Sequence, residues 1–195
     1  RCAAPGDPVV GGDLNPRPGL NHNTAHCPGK TGRPTHPSLA TMSASDEDFM
    51  RLALAEGRKA LPACLPNPPV GCVFVRDGVV IASGFTQPPG QHHAEAMALS
   101  QVPGNLASVT ASVPLEPCSF PGRTPSCAKA LVSRGVKRVV VAMQDPDTRN
   151  AGAGIEILKA AGVDVSIGIL EHSAMSDMGA YLAEGANIAA RGDCA

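Results

Sequence analysis

Residues 70–85 read VGCVFVRDGVVIASGF, and the fold is decided there. Val70 to Val75 is a nearly continuous apolar run, the pattern of a strand buried on both faces. Asp77-Gly78 is a hairpin turn signal, so Val79 to Phe85 is the returning strand. Cys72, between Gly71 and Val73 on that buried strand, reads as core and not as a ligand. Downstream the period changes. Strands over Val109–Leu115, Val139–Met143 and Val163–Ile167 alternate with helices that begin near Ala94 and over Ala128–Arg134, Ile155–Ala161 and Glu171–Ala190. A hairpin followed by strand–helix alternation predicts an α/β fold: a three-layer α/β/α sandwich around a five-stranded mixed sheet. Upstream, Ser45 or Asp46 caps a first helix whose apolar face runs through Phe49, Leu52, Ala53 and Ala60, and Pro62 closes it.

Residues 1–41 show no helical or alternating period and are dominated by Pro, Gly, His, Asn and Thr. They read as a disordered leader or an appended extension, with the domain itself over 42–195. His22, His26, Cys27 and His36 suggest a metal cluster only superficially, because irregular Pro-Gly spacing does not hold ligands in place.

The 195 residues suffice for one domain with a proper core. Sixteen basic and 17 acidic residues give a formal net charge of −1, without the basic excess that phosphate neutralisation requires. Trp is absent, and one Tyr and four Phe offer few stacking platforms. Both features favour a small-molecule substrate over nucleic acid. Seven cysteines in no framework-like spacing predict reduced thiols in a cytoplasm, some of them metal ligands. No apolar run reaches the roughly 20 residues of a membrane helix.

The chemistry-bearing residues lie outside the hairpin. His93-Ala94-Glu95 opens one predicted helix, and Pro117-Cys118 follows a strand with Cys127 at the start of the next helix. One imidazole and two thiols can hold Zn²⁺ with the fourth position open to water. Helix starts favour negative charge, so both Cys118 and Cys127 are expected to ionise readily. Glu95, two residues from His93, can reach the water without ligating and carry its proton to a departing amine. That set suits hydrolysis at an electron-poor C=N carbon, which is deamination. His92 is the rival ligand, and His93 is preferred because it alone leaves the His-Xaa-Glu spacing. Taken singly, the histidine is a surface or core residue and the cysteines are inert thiols. The combination is what points to a site.

His93-Ala94-Glu95 with Pro117-Cys118 resembles the zinc-dependent cytidine deaminase superfamily. The usual two residues between the cysteines are eight here, and Gly122-Arg123-Thr124-Pro125 precedes the second. That loop looks like the pyrimidine deaminase of riboflavin biosynthesis. So do Asn67-Pro68-Pro69-Val70-Gly71-Cys72, Leu115-Glu116-Pro117-Cys118, Met143-Gln144-Asp145-Pro146 and Ala161-Gly162-Val163-Asp164-Val165, over about residues 47–187. The resemblance implies an aminohydrolase that removes an exocyclic amine from a phosphoribosylated diaminopyrimidinone. It implies His93, Cys118 and Cys127 as zinc ligands, Glu95 as proton shuttle, Asn67 near the metal, Arg123 toward the phosphate end and Asp145 lining the pocket. Thr86 and Phe120 stand where the family has histidines, and Asp145-Pro146-Asp147-Thr148 stands for its Asp-Pro-Asn-Pro. Such changes predict a shifted substrate, since buried polar contacts dominate discrimination. The family's frequent reductase fusion is not expected here, nor a nicotinamide cofactor, while a homo-oligomer is. Two alternatives stay open: a deaminase of another free base or nucleoside, of cytosine or guanine type, and a deaminase-like subunit whose zinc is structural.

Overall fold

The structure is a computed structural model, and it describes residues 44–122 and 125–190, with side chains as far as 182. The expectation for residues 1–41 lies outside the described residues, as do Arg123 and Cys194.

Helix α1 spans Asp46–Arg58. Ser45 caps it: its hydroxyl accepts from the Asp48 N–H, and the Asp48 carboxylate accepts from the Ser45 N–H at 2.9 Å. This reciprocal pairing satisfies two helix-start donors at once. The buried face is Phe49, Met50, Ala53, Leu54 and Gly57, and the helix ends before Ala60. Leu52, predicted to face inward, is 47% exposed. Met50 and Leu54 share the 3.6-residue face with Phe49 and Ala53, and Leu52 lies about 100° off it per step from Ala53.

The hairpin forms as predicted, β1 over Gly71–Arg76 and β2 over Val79–Phe85, paired antiparallel. Asp77 and Gly78 both have positive φ, 50° and 75°, the signature of the turn whose twist matches the strands. Helix α2 (Ala94–Gln101) follows, then β3 (Thr110–Leu115), α3 (Cys127–Ser133), β4 (Arg138–Met143), α4 (Ala153–Ala160), β5 (Asp164–Ile167) and α5 (Glu171–Ala190). The sheet order is β2-β1-β3-β4-β5. β1 is antiparallel to β2 and β3, and β3, β4 and β5 run parallel. This is the mixed five-stranded sheet expected. Helices α1 and α5 touch each other and cover β1, β3 and β4; α2, α3 and α4 touch in series, α2 against β2 and β1, α4 against β5. Two successive crossovers in one direction place α3 and α4 on one face, because such connections are right-handed. The core is built on β1, β3 and β4, with Val73, Phe74, Val113 and Val139 to Val141 almost fully buried.

One feature of the sheet opens the site. The β1–β3 ladder runs from Val75↔Thr110 to Val73↔Ser112 and stops. Continuing that register would set Gly71 opposite Pro114, which has no N–H to give. Past this point β3 pairs with β4 alone, through Leu115↔Met143. The β1–β3 pairing ends there, at the carboxyl edge of the parallel strands, where sheets of this kind place their ligands.

Candidate metal centre and pocket

The carboxyl edge of the parallel strands collects the predicted residues from four strand ends. His93 is the N-cap of α2, Cys118 follows β3, and Cys127 begins α3. His93 Nδ1 lies 3.7 Å from Cys118 Sγ and 3.6 Å from Cys127 Sγ. All three donor atoms fall within 4.8 Å of one another. Tetrahedral zinc at its usual bond lengths would hold N and S about 3.6 Å apart. The donor set and its spacing therefore fit a zinc ion without rearrangement. His92 is exposed and contributes a backbone carbonyl to Gln87, so the choice of His93 over its neighbour agrees with the geometry.

The start of α3 grips Cys118. The Cys127 N–H donates to Cys118 Sγ at 3.2 Å, the Ala128 N–H donates to the Cys118 carbonyl, and the Ser126 hydroxyl donates to that carbonyl at 2.8 Å. Ser126 also caps α3 by accepting from the Lys129 N–H. A hydrogen bond from the Cys127 thiol, helped by His93 and by the Cys127 N–H, holds Cys118 down at about 4. Cys127 goes the other way: donating to Cys118 and being buried, it is pushed well above the ordinary thiol range. Two neighbouring thiolates repel, so the two sulfurs shift in opposite directions, and a dication between them is what favours both as ionised ligands.

Glu95 sits in the first turn of α2 and is 4% exposed. Burial first, then the charge of Cys118, raises its pKa above the ordinary glutamate value. Its carboxylate also interacts with Cys127 and His93, which places it at the donor cluster. His93 is raised chiefly by its hydrogen bond to Cys118, with the Glu95 charge adding. Cys72, fully buried on β1, is raised by burial and by Glu95, the behaviour of a core thiol behind the site.

A pocket of about 160 Å³ opens over this cluster, and Asn67, Thr86, Phe120 and Asp145 all line it with His93, Glu95 and Cys118. Asn67 lies just before β1. The Thr86 hydroxyl accepts from the Val70 N–H at 3.2 Å and donates to the Val70 carbonyl at 3.3 Å. Thr86 thereby extends the hairpin by one rung while its side chain borders the pocket. Asp145 is raised above the ordinary aspartate value mainly by burial.

Four contributors carried no individual expectation. The Glu116 carboxylate, 3% exposed, accepts from the N–H groups of Asp145 (3.2 Å), Gly152 (2.9 Å), Gly154 (2.8 Å) and Ile155 (3.3 Å). It satisfies the start of α4 and ties it to the ligand turn. At Gly154 the backbones nearly touch: a Cβ there would lie 1.9 Å from the Pro117 carbonyl oxygen. Asn150, 2% exposed, bridges Ser119 and Asp145. Asp147 and Arg149 form a multiply hydrogen-bonded ion pair at the pocket rim, with the guanidinium 5.1 Å from the Phe120 ring centroid. The position of Glu116 beside Pro117-Cys118 was the one available sequence signal. The partners of the other three are set by loop geometry.

Similarity to known proteins bears on this site. The riboflavin biosynthesis protein RibD of Escherichia coli (strain K12) is 46% identical over 125 residues, 64% of this chain and 34% of that protein. The chloroplastic riboflavin biosynthesis protein PYRD of Zea mays is 50% identical over 65% of this chain and 32% of its own. The solved structure of Acinetobacter baumannii RibD superposes with a TM-score of 0.69 at 45% identity, covering 72% of this chain and 40% of that one. The chain spans about a third to two fifths of the length of these relatives. Residues 43–143, which hold all three donor residues and Glu95, match the model of the cytidine and deoxycytidylate deaminase zinc-binding region. With a His and two Cys already set at zinc spacing inside the matched segment, the chain belongs to the cytidine and deoxycytidylate deaminase zinc-binding family.

Proposed function

We propose that the protein is a zinc-dependent aminohydrolase that deaminates diaminohydroxyphosphoribosylaminopyrimidine, the riboflavin-pathway ribotide, or a close variant of it. The observation that carries the reading is the convergence of His93, Cys118 and Cys127 beside the buried Glu95 at the floor of an open pocket. The pathway is supported by the names of relatives at 43–50% identity, which are riboflavin biosynthesis proteins, and the substrate class by that of a solved Thermotoga maritima structure, 36% identical, a diaminohydroxyphosphoribosylaminopyrimidine deaminase joined to a reductase. Zinc held by His93, Cys118 and Cys127 would supply a Lewis acid and so favour a water nucleophile at neutral pH.

The residues of the chain do the rest. Glu95 is the proposed catalytic group. Its carboxylate, with a pKa raised chiefly by burial, takes the proton from water and delivers it to the exocyclic nitrogen. A C–O bond forms, the C–N bond breaks, and ammonia leaves. Asn67 and Asp145 are proposed to orient the heterocycle, and Arg123 to meet the phosphate end, where a guanidinium suits bidentate contact. Thr86 and Phe120 support a shifted variant of the substrate. One donates its hydroxyl to backbone, and the other offers a phenyl face in place of an imidazole.

The reading includes a free small molecule as substrate and a reducing compartment such as the cytoplasm, because oxidation of two ligand thiols would dismantle the site. Among the described residues no helix is long and apolar enough to cross a membrane. It also includes association of copies, supported by exposed apolar side chains on α1 and α5, Leu52 and Met175, and light scattering reads that directly. Ammonia release from the ribotide, compared with cytosine and guanine derivatives, tests the activity. Glu95→Gln should lower turnover by roughly 10²–10⁴-fold with zinc content unchanged. Turnover by Glu95→Gln equal to wild type would remove the proposed role, and release only from the cytosine or guanine compounds would replace the proposed substrate.

A further inference from the structure

Two loops border the pocket over the donor cluster. One follows β3 and carries Cys118 and Phe120; the other follows β4 and carries Asp145, Asp147 and Arg149. Their strands are parallel neighbours, but the sheet pairing ends at Leu115↔Met143. Beyond it the Glu116 N–H still reaches the Met143 carbonyl, and side chains make the remaining ties.

Glu116 ties the backbone of the second loop to the first, and Asn150 adds the tie that reaches the Asp145 side chain. Its Oδ1 accepts from the Ser119 N–H at 2.8 Å, and its Nδ2 donates to Asp145 Oδ2 at 3.3 Å. Ser119 is the residue after Cys118, and Asp145 lines the pocket. One buried amide therefore spans from the metal-ligand turn to a substrate-facing carboxylate. The other oxygen of Asp145 accepts from the Asp147 N–H at 2.9 Å. With a lone pair engaged on each oxygen, the carboxylate is held in one orientation, offering its remaining acceptor capacity to an N–H. A buried asparagine can do no more than satisfy nearby polar groups, but here both groups it satisfies belong to the site.

We propose that Asn150 is a positioning residue, the strut that fixes Asp145 relative to Cys118 and so sets how an N–H-bearing aminated heterocycle sits over the metal centre. The proposal rests on the deaminase reading above, and its test separates the two. Zinc-loaded Asn150→Ala and Asn150→Asp are compared with wild type. Asp keeps the size and the acceptor for Ser119 but sets a carboxylate against Asp145. Both variants should retain full zinc content, and both should raise KM for the ribotide by about tenfold or more while kcat changes far less, since a small misplacement of a binding group is costly. A loss of zinc in Asn150→Asp, or KM unchanged in both variants while the unfolding temperature falls, would overturn it by reducing Asn150 to a structural group. Amide hydrogen exchange gives the second readout, independent of turnover. Asn150→Ala should speed exchange at Ser119 and across 145–154 together, and acceleration at only one of the two segments would overturn the strut. If the wild type leaves the ribotide unchanged, the substrate reading fails while the exchange result still decides the strut.

Discussion

Glu116 offers the sharpest quantitative test of how the site is built. Its carboxylate takes four backbone N–H groups, two at 2.8 and 2.9 Å and two at 3.2 and 3.3 Å, in a position 3% exposed. Hydrogen bonds to a charged acceptor contribute about 1.5–3 kcal/mol each, and a buried donor left without a partner costs about 1–3 kcal/mol. Counting only the two short bonds, Glu116→Ala should cost about 3–6 kcal/mol, a large part of the ~5–15 kcal/mol that holds a domain together. Glu116→Gln keeps the shape and one oxygen but turns an NH₂ toward two donors, so roughly half that cost is expected. At about 2–4 °C per kcal/mol for a chain of this size, the unfolding temperature should fall by about 6–24 °C for Ala and by about half as much for Gln. Scanning calorimetry on zinc-saturated protein measures both. An unchanged unfolding temperature for Glu116→Gln with activity lost would refute the reasoning. The carboxylate would then be acting on the substrate, since it also borders the pocket.

Gly154→Ala places a methyl 1.9 Å from the Pro117 oxygen. Backbone must move for it to fit, so a loss of about 1–3 kcal/mol is expected, together with weaker zinc retention because Cys118 follows Pro117. Equal stability and equal zinc content would contradict the close approach. His93→Ala and Cys127→Ser should each abolish stoichiometric zinc as read by elemental analysis, whereas His92→Ala should leave it intact. The ion pair of Asp46 with Arg138 has bonds of 2.8 and 2.6 Å and holds the Asp46 pKa below its ordinary value, chiefly by the Arg138 hydrogen bond. Its contribution is therefore complete above the ordinary aspartate range and is lost as pH falls through the depressed folded-state pKa. Both side chains are about one-third exposed, so Asp46→Asn should cost only about 0.5–1 kcal/mol at neutral pH. The gap from wild type should close in acid, and a gap that widens there would invert the sign of the argument.

The amino-acid order alone determined the hairpin, the mixed sheet and the identity of the donor residues. Asp77-Gly78 needs only local backbone freedom, and a run such as Val139 to Val141 is apolar wherever it is read. His-Xaa-Glu with two cysteines near helix starts is likewise a short-range pattern. Leu52 shows where such reading weakens: several faces of α1 hold an apolar residue, and only packing against β1 and β3 selects Met50 and Leu54. The cysteine pair shows it again, since helix starts favour both thiolates alike, whereas the fold sets the sulfurs side by side and so lowers the Cys118 pKa while raising that of Cys127. Glu116, Asn150, Asp147 and Arg149 became site residues only in three dimensions. Their partners lie on a neighbouring loop or are chosen by the path of their own. A hydrogen bond between residues 119 and 150 leaves no periodic trace in the chain. It exists because Pro114 ends one ladder, two parallel strands end side by side, and the buried N–H and C=O groups left there must find partners.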